Sequence, residues 1–351
     1  MLPVPTIEMA GSETRTDLPV LVLHNVDYTW EPADIEMALH EVNILEAAIR
    51  AQGHPVTNVA VIDTDLEGCL QKYDPDEHIV LNWCEGLPGM PRSEDLVAHT
   101  LESMNFVYTG SPPDVLRNSW DKTKVKHLLE DHNVPTPCWQ IYTAAEPENW
   151  TCYPAIVKPA LEHCSRGVTT DSVVMNAGEL SRRVAYVIDT FSQPALVEDF
   201  IDGREFHITL WGNGTLQMLP PAEMDFRAFS YVRDRLCTFD SKFHPGSMHY
   251  NNIELLLPAS LSETEYALLD TTAKEAYNVL GCRDYARVDI RLRDGIFYIL
   301  DINPNPDISF ETSMVCAAER AGYSYGAMLS RLVNLAALRH PVFGSHPARD
   351  R

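Results

Sequence analysis

Positive charge is scarce in this sequence: 27 lysines and arginines stand against 50 aspartates and glutamates, a formal net charge of −23 over 351 residues. That balance opposes broad contact with nucleic acid or an anionic membrane, so neither is expected as a partner. A highly charged substrate would then need a local cationic pocket or metal ions. The eight cysteines (Cys69, Cys84, Cys138, Cys152, Cys164, Cys237, Cys282 and Cys316) contain no CxxC pair and no regular spacing. A disulfide scaffold is thereby excluded, and a reduced, cytoplasmic chain is expected. No stretch of eighteen apolar residues occurs, and the opening MLPVPTIEMAGSETRTDLP lacks a basic start and an apolar run. It reads as a short flexible leader, as GSHPARDR reads as a tail. GxxxxGK[ST], GxGxxG and HExxH are all missing. His163 adjoins Cys164, but adjacency in sequence makes no nucleophile and base pair.

What remains is an apolar content of 45% in a chain long enough for two or three domains. PVLVLH (19–24) reads as a buried strand. A helix follows in which Ile35, Ala38, Leu39, Val42, Leu45 and Ile49 recur at helical spacing until Gly53. NVAVID and HIVLNW continue a strand–helix–strand alternation, and Ser93 is placed to cap a helix running to about Met104. This pattern predicts a parallel sheet over roughly the first 115 residues. Beyond it come short helices (DKTKVKHLLEDH), strands with one helix striped by Leu180, Val184, Val187 and Ile188, and a hairpin with an Asn-Gly turn (LWGNGTLQML). A later helix opens at a Ser262–Glu265 capping box and stops at Gly281.

Four constellations carry chemistry. In ARVDIRLRDGIFYILDINPNPDIS (286–309), alternation puts Val288, Ile290 and Leu292 on one face of a strand and Arg287, Asp289 and Arg291 on the other. With a three-residue loop (Asp294, Gly295, Ile296), Asp289 faces Asp301 across the ladder, and Tyr298, Leu300 and Ile302 share the apolar face. Two facing carboxylates repel. Either Arg287 and Arg291 neutralise them in a surface network, or Asp289, Asp301 and Asn303 present three hard oxygens to Mg²⁺. Second, YPAIVKPALEHCSRGV (153–168) delivers Lys158 at a strand end, before a loop holding Ser165, Arg166 and Gly167 that can fold N–H groups over phosphate. Third, ALVEDFIDGREF (195–206) is apolar and then acidic, with Glu198, Asp199 and Glu205 around a turn at Asp202-Gly203. Fourth, Lys122 in NSWDKTKVKHLL reads by itself as part of a solvated helix face with Lys124 and Lys126.

Taken in order, these segments resemble the ATP-grasp superfamily, and within it the D-alanine:D-alanine ligases, from about Val20 to Leu335. YTGS (108–111) with SWDKTKVK, IVKPALEHCSRGV, LVEDFIDGREF, and GCRDYARVDI with ILDINPNP are the matching pieces. The resemblance implies an α/β fold with an N-terminal Rossmann-like domain (1–115), a central subdomain (116–197) and a C-terminal subdomain with a metal site (198–345) clasping ATP. Lys122 and Lys158 would contact phosphates, and Ser165 and Gly167 would lie in the covering loop. Glu198 would pair with the adenine amino group beside residues 197–201, with Asp199, Ile201 and Leu300 completing the nucleotide site and Glu205 on the ribose. Asp289, Asp301 and Asn303 would bind two Mg²⁺ ions, with Mn²⁺ as a substitute. Arg287 and Lys242 would serve the acyl-phosphate and tetrahedral intermediates, with Ser165 also in the catalytic loop. Small amino acid or peptide substrates and a homodimer are the implied partners.

This chain departs from the family pattern where substrate is held. The metal strand carries Asp301 for the usual Glu, and Asp307 replaces the Gly after NxxP. Cys164 stands for the serine that orients the first substrate, and Phe243 for the lid tyrosine. The ammonium-binding glutamate has no clean counterpart; Glu31, Asp34 and Glu36 are the candidates, near an insertion at YTWEPAD. The expectation is therefore a carboxylate–amine ligase for amino acids or peptides other than D-alanine. The alternatives are an authentic D-alanine:D-alanine ligase and a nucleotide-binding relative without turnover.

Overall fold

The computed structural model describes residues 14–145, 149–163, 165–244 and 246–344, with the side chains of Lys242 and Phe243 excepted. Cys164, the first thirteen residues, the tail from 345 onward and those two side chains therefore lie outside the described residues. What remains of the expected leader is anchored: Leu18 is fully buried and the Arg15 N–H donates to Asn334 Oδ1 at 2.9 Å.

The first sheet is parallel, in the order β2-β1-β3-β4, built from β1 (Val20–Asn25), β2 (Val56–Val61), β3 (Ile79–Trp83) and β4 (Val107–Tyr108). Its helices are α1 (Pro32–Ala51), α2 (Leu66–Leu70) and α3 (Glu94–Ser103), followed by α4 (Pro113–Ser119). The apolar runs of β1 and β3 are buried on both faces, as a sheet covered by helices requires. Only the C-terminal half of α1 meets this core, through Val42, Leu45 and Ile49; Met37 and Leu39 are exposed. Ser93 does occupy the N-cap of α3, but its hydroxyl serves the preceding turn, donating to Met90 O and accepting from Leu87 N, and caps no N–H of the helix.

After α5 (Lys122–Asp131) the second sheet is antiparallel, in the order β5-β8-β6-β7: β5 (Trp139–Tyr142), β6 (Ala155–Pro159), β7 (Val173–Val174) and β8 (Ala195–Asp199), with α6 (Ala177–Phe191) laid on it. The third, also antiparallel, runs β12-β11-β9-β13-β14 with β10 beside β9. Its strands are β9 (Arg204–Trp211), β10 (Gln217–Met218), β11 (Ala222–Asp225), β12 (Glu254–Leu256), β13 (Tyr285–Arg293) and β14 (Ile296–Asn303). Helices α7 (Phe239–Phe243), α8 (Met248–Asn252), α9 (Glu263–Leu280), α10 (Ser313–Arg320) and α11 (Tyr325–Ala337) complete the chain. Helix α9 begins at the expected reciprocal Ser262–Glu265 capping box and ends at Gly281 with φ 83°. The expected hairpin forms, with Trp211 paired to Gln217 and Leu210 to Met218, but not around a two-residue Asn-Gly turn. Residues 212–216 make a five-residue loop between Trp211 and Gln217, because the Asn213 side chain is committed elsewhere, to Asp284.

Helix α11 leaves the third sheet and packs on the first, its Met328, Leu329, Leu332 and Val333 sharing a core with Val20, Val22, Leu45 and Leu81. One carboxylate ties this return together. Asp284, fully buried, takes both Arg339 guanidinium nitrogens at 2.5 and 2.8 Å, the Gly110 N–H at 2.9 Å and Asn213 Nδ2 at 2.8 Å. Removing it would leave Arg339 and two further donors without their acceptor. Asp284→Ala is therefore expected to cost about 3 kcal/mol, read as a lower urea midpoint with an unchanged m-value. An unchanged midpoint would show that the three segments are held by their apolar contacts alone.

Candidate active site

The cleft lies between the second and third sheets, and the third sheet's pairing explains its floor. Glu205 is registered with Arg291 and His207 with Asp289 between β9 and β13; Asp289 is registered with Asp301 and Arg287 with Asn303 between β13 and β14. Paired residues share a face and alternate residues repeat it, so one polar face gathers these side chains while Val288 and Ile290 enter the core beneath.

The facing of Asp289 and Asp301 arises by a route other than the expected one. The turn is two residues, Asp294 and Gly295, with φ 53° and 79°, a positive pair favoured in tight hairpins. Ile296 pairs with Arg293, and the register then slips so that Ile290 faces Ile299 while Asp289 faces Asp301. Leu300 is the extra residue of this bulge. In consequence Phe297 and Ile299 are core residues, and Leu300 lines the cleft instead of the apolar face assigned to it from alternation.

Each carboxylate on the floor has a cation. Arg287 donates to Asp289 through Nε at 2.8 Å and Nη2 at 3.1 Å. Asp301 has Lys122 Nζ at 3.9 Å. Desolvation pushes the Asp301 carboxyl upward, but Lys122 and His163 outweigh it and hold it below its ordinary value. Arg291 does not join this pair; it is buried on Glu205, with Nε donating at 2.7 Å to Oε2 and Nη1 to Ile201 O at 2.8 Å. Burial raises the Glu205 carboxyl, and Arg291 and His207 reverse that and hold it well below the carboxylate range. Asn303 Oδ1 accepts the Asn305 N–H at 3.0 Å.

The opposite wall comes from β6, β8 and α5. Lys158 is registered with Leu196 on β8, which places it diagonally beside Glu198 on the same face, and its Nζ lies 2.5 Å from Glu198 Oε2. Lys126 pairs with the other oxygen of Glu198. The solvated-face reading of α5 thus holds only for Lys124. Val125 and Leu129 bury against α9, which turns Lys122 and Lys126, one helical turn apart, toward the cleft. Lys126 was missed in the sequence; its i,i+4 relation to Lys122 was the available signal. Burial alone pushes the Glu198 carboxyl up, yet Lys126 and Lys158 bring it down to about 2.

Lys122 Nζ also donates to Glu162 O at 2.6 Å. Glu162, another residue the sequence did not single out, anchors the loop from Pro159 to Val168. Its carboxylate accepts from Arg92 at 2.7 Å and Gln193 at 2.9 Å. Within that loop Ser165, at φ 58°, donates to Cys237 O at 3.3 Å. Gly167 is at φ 75°, where a Cβ would stand 2.6 Å from the Phe191 ring. His163 lines the cleft with Nε2 buried and, among the described residues, unpartnered, and burial lowers it to about 4. Asp199 is held by Arg293 at 2.5 Å, and Asp199, Ile201 and Leu300 all line the cleft. Glu31, Asp34 and Glu36 are exposed at the start of α1 and do not line it. Glu41, further along that helix, buries Oε2 without a hydrogen-bond partner among the described residues.

Comparison with known proteins places this geometry. A family model described as D-ala D-ala ligase C-terminus matches residues 135–334. The chain is 31% identical over 302 residues to the uncharacterized protein y4sG of Sinorhizobium fredii, covering 84% of this chain and 86% of that one. It is 28% identical over 321 residues to a D-alanine–D-alanine ligase of Marinomonas sp., covering 88% and 93%. A solved structure of the D-alanine–D-alanine ligase from Bacillus anthracis complexed with ATP superposes with TM-score 0.68 at 19% identity, over 91% of this chain and 97% of that one. The chain belongs to the D-alanine–D-alanine ligase family, and its fold, a parallel sheet followed by two antiparallel sheets around a cleft, is ATP-grasp.

The Glu198 cluster has a measurable consequence. A carboxyl whose folded value is depressed contributes stability above its unfolded value, here 4.5, and loses it as pH falls toward about 2. Glu198→Gln leaves Lys126 and Lys158 uncompensated, so a loss of about 3–5 kcal/mol is expected at pH 7. The gap between variant and parent in urea unfolding should narrow below the unfolded carboxyl value. A gap independent of pH would assign the loss to packing.

Proposed function

We propose that the chain is an ATP-dependent carboxylate–amine ligase that forms an amide or peptide bond through an acyl phosphate, on amino acids or peptides other than D-alanine. The observation that carries this reading is the convergence of Lys122, Lys158, Glu198, Glu205, Asp289 and Asp301 on one cleft between two sheets. In a chain of net charge −23 it is a local site where lysines and arginines can meet polyphosphate. The cleft as it stands holds about 110 Å³, below the roughly 300–1,000 Å³ of small-molecule sites. Lys158 must release Glu198 as nucleotide enters, exchanging a carboxylate for phosphate oxygens. Glu198 is then free to accept from the adenine amino group, and Glu205, fixed by Arg291, from the ribose.

Asp289, Asp301 and Asn303 offer only oxygen donors from one face, the chemistry that suits Mg²⁺. Two ions here would neutralise charge on the transferring phosphoryl group, and Mn²⁺ would substitute. Arg287, beside Asp289, is aimed to hold the oxygens of the acyl phosphate and of the tetrahedral adduct left by amine attack. The loop carrying Ser165 and Gly167 covers the phosphates, and Lys242 adds a cation from the lid. Water must be kept from the acyl phosphate, so that lid closes before chemistry. On the substrate side, Cys164, Phe243 and Asp307 replace the family's serine, tyrosine and glycine, and Glu41 is the acid on α1 turned inward to receive an ammonium group. A cytoplasmic homodimer accompanies this reading. The Marinomonas relative favours a second one, D-alanine–D-alanine ligation itself.

The two readings separate in an ADP-release screen of amino acids and dipeptides taken in pairs. D-Alanine with ATP and Mg²⁺ is expected to stay near the no-substrate background while another pair exceeds it clearly; rapid D-alanyl-D-alanine synthesis would establish the second reading. Asp301→Ala is expected to abolish Mg²⁺-dependent turnover while lowering metal-free thermal stability only slightly, since the attraction to Lys122 at 3.9 Å is partly offset by repulsion from the facing Asp289. A large loss of metal-free stability would instead make Asp301 a structural ion-pair partner.

A further inference from the structure

Beside the all-oxygen group on the cleft floor lies a second set of donors of different chemistry. Glu205, His207 and Cys237 each present one ligand atom, and the three atoms lie within 4.8 Å of one another. Glu205 and His207 are alternate residues of β9 on the polar face, both buried, with His207 Nε2 3.6 Å from Glu205 Oε1. Ligands at the usual bond lengths of a tetrahedral zinc ion are about 3.3–3.6 Å apart. The nitrogen and oxygen are thus already at coordinating separation, and the sulfur, on a loop, lies within 4.8 Å of both. Arg291 occupies Oε2 of Glu205 and leaves Oε1 directed at His207, the arrangement by which an outer partner orients a ligating carboxylate. Sulfur, nitrogen and oxygen together select a borderline-soft ion over Mg²⁺.

We propose that Glu205, His207 and Cys237 form a binding site for a zinc-class divalent cation, and that this ion and the nucleotide exclude each other. Binding replaces the Cys237 S–H bond by a metal–sulfur bond, the proton passing to solvent, with no change of oxidation state. Exclusion follows because Glu205 is committed to the ion and because Cys237, whose carbonyl accepts from Ser165, is drawn toward β9 together with the loop that covers the phosphates. The site itself stands apart from the proposed activity; the exclusion rests on the reading of Glu205 as the ribose ligand.

Cobalt(II) tests both. Titrated into the full chain without nucleotide, one equivalent is expected to give a thiolate-to-cobalt charge-transfer band, bleached by Zn²⁺ and not by Mg²⁺. Cys237→Ser should remove the band, and His207→Ala should weaken cobalt binding at least about tenfold, the lower end of the loss caused by removing even an outer partner. A band that survives Cys237→Ser, or no band in the parent protein, overturns the site. Saturating ADP should abolish the band; a thiolate-to-cobalt band that persists with ADP bound overturns the exclusion. Calorimetry of ADP with metal-free protein separates the causes: absent ADP binding rejects the nucleotide reading, while the charge-transfer band still decides the metal site.

Discussion

The cleft depends on how Arg291 is buried. A guanidinium in the interior is tolerable only when its donors are used, and here they are divided among three segments: Glu205 on β9, the Ile201 carbonyl after β8, and the Arg235 carbonyl in the long connection that follows β11. Its plane also lies over the rings of Phe200 and Phe226, at 4.6 and 5.3 Å from their centroids. A lysine has one donor head and no plane, and would hold at most part of this junction. The second and third sheets meet here, so the position of Glu205 relative to Lys158 and Glu198 follows from one side chain.

Around that junction the charges are arranged in pairs that can trade partners. Glu198 shares Lys126 and Lys158, Asp289 holds Arg287, and Asp301 stands near Lys122. Each of these three carboxylates thus has a cation that an incoming anion would compete for. Lys126 is the exception in kind: it is almost fully buried and also donates to Thr136 Oγ1 at 2.6 Å, so it belongs to the fixed part of the wall while Lys158 belongs to the exchangeable part. The wider surface, with its excess of acids, opposes polyphosphate; binding has to be won at short range, where low dielectric favours it.

Much of this was legible from sequence because it follows local rules. Alternation placed Arg287, Asp289 and Arg291 on one face, the capping box marked α9, and the strand–helix alternation foretold the first sheet. What escaped depends on partners distant in the chain. Lys126 and Lys124 look alike until α9 buries Val125 and Leu129. Glu162 gains its role from Arg92 and Gln193, 70 and 31 residues away. Asn213 reads as a turn residue until Asp284 claims its amide. Nothing in YGAMLSRLVNLAA shows that this helix returns to cover the first sheet rather than the third. The bulge was hidden for another reason: a two-residue turn with one extra residue and a three-residue turn with none bring Asp289 and Asp301 to the same pairing.

That extra residue has a consequence for how β14 can vary. A regular strand carries a single parity, so the side chains facing solvent at one end commit those at the other. Leu300 resets the count in mid-strand. From Ile296 to Ile299 the odd-numbered positions face the core; beyond it, Ile302 does. The half beside the turn therefore answers to the packing of α9, while the half beyond answers to the chemistry of the cleft, and substitutions in one place no parity constraint on the other. Loss of Leu300 alone would join the two counts into one regular alternation, with Phe297, Ile299 and Ile302 still toward the core and Asp301 and Asn303 toward the cleft; straightening the bulge with Leu300 retained would instead set Phe297 and Ile299 on the face of the carboxylates.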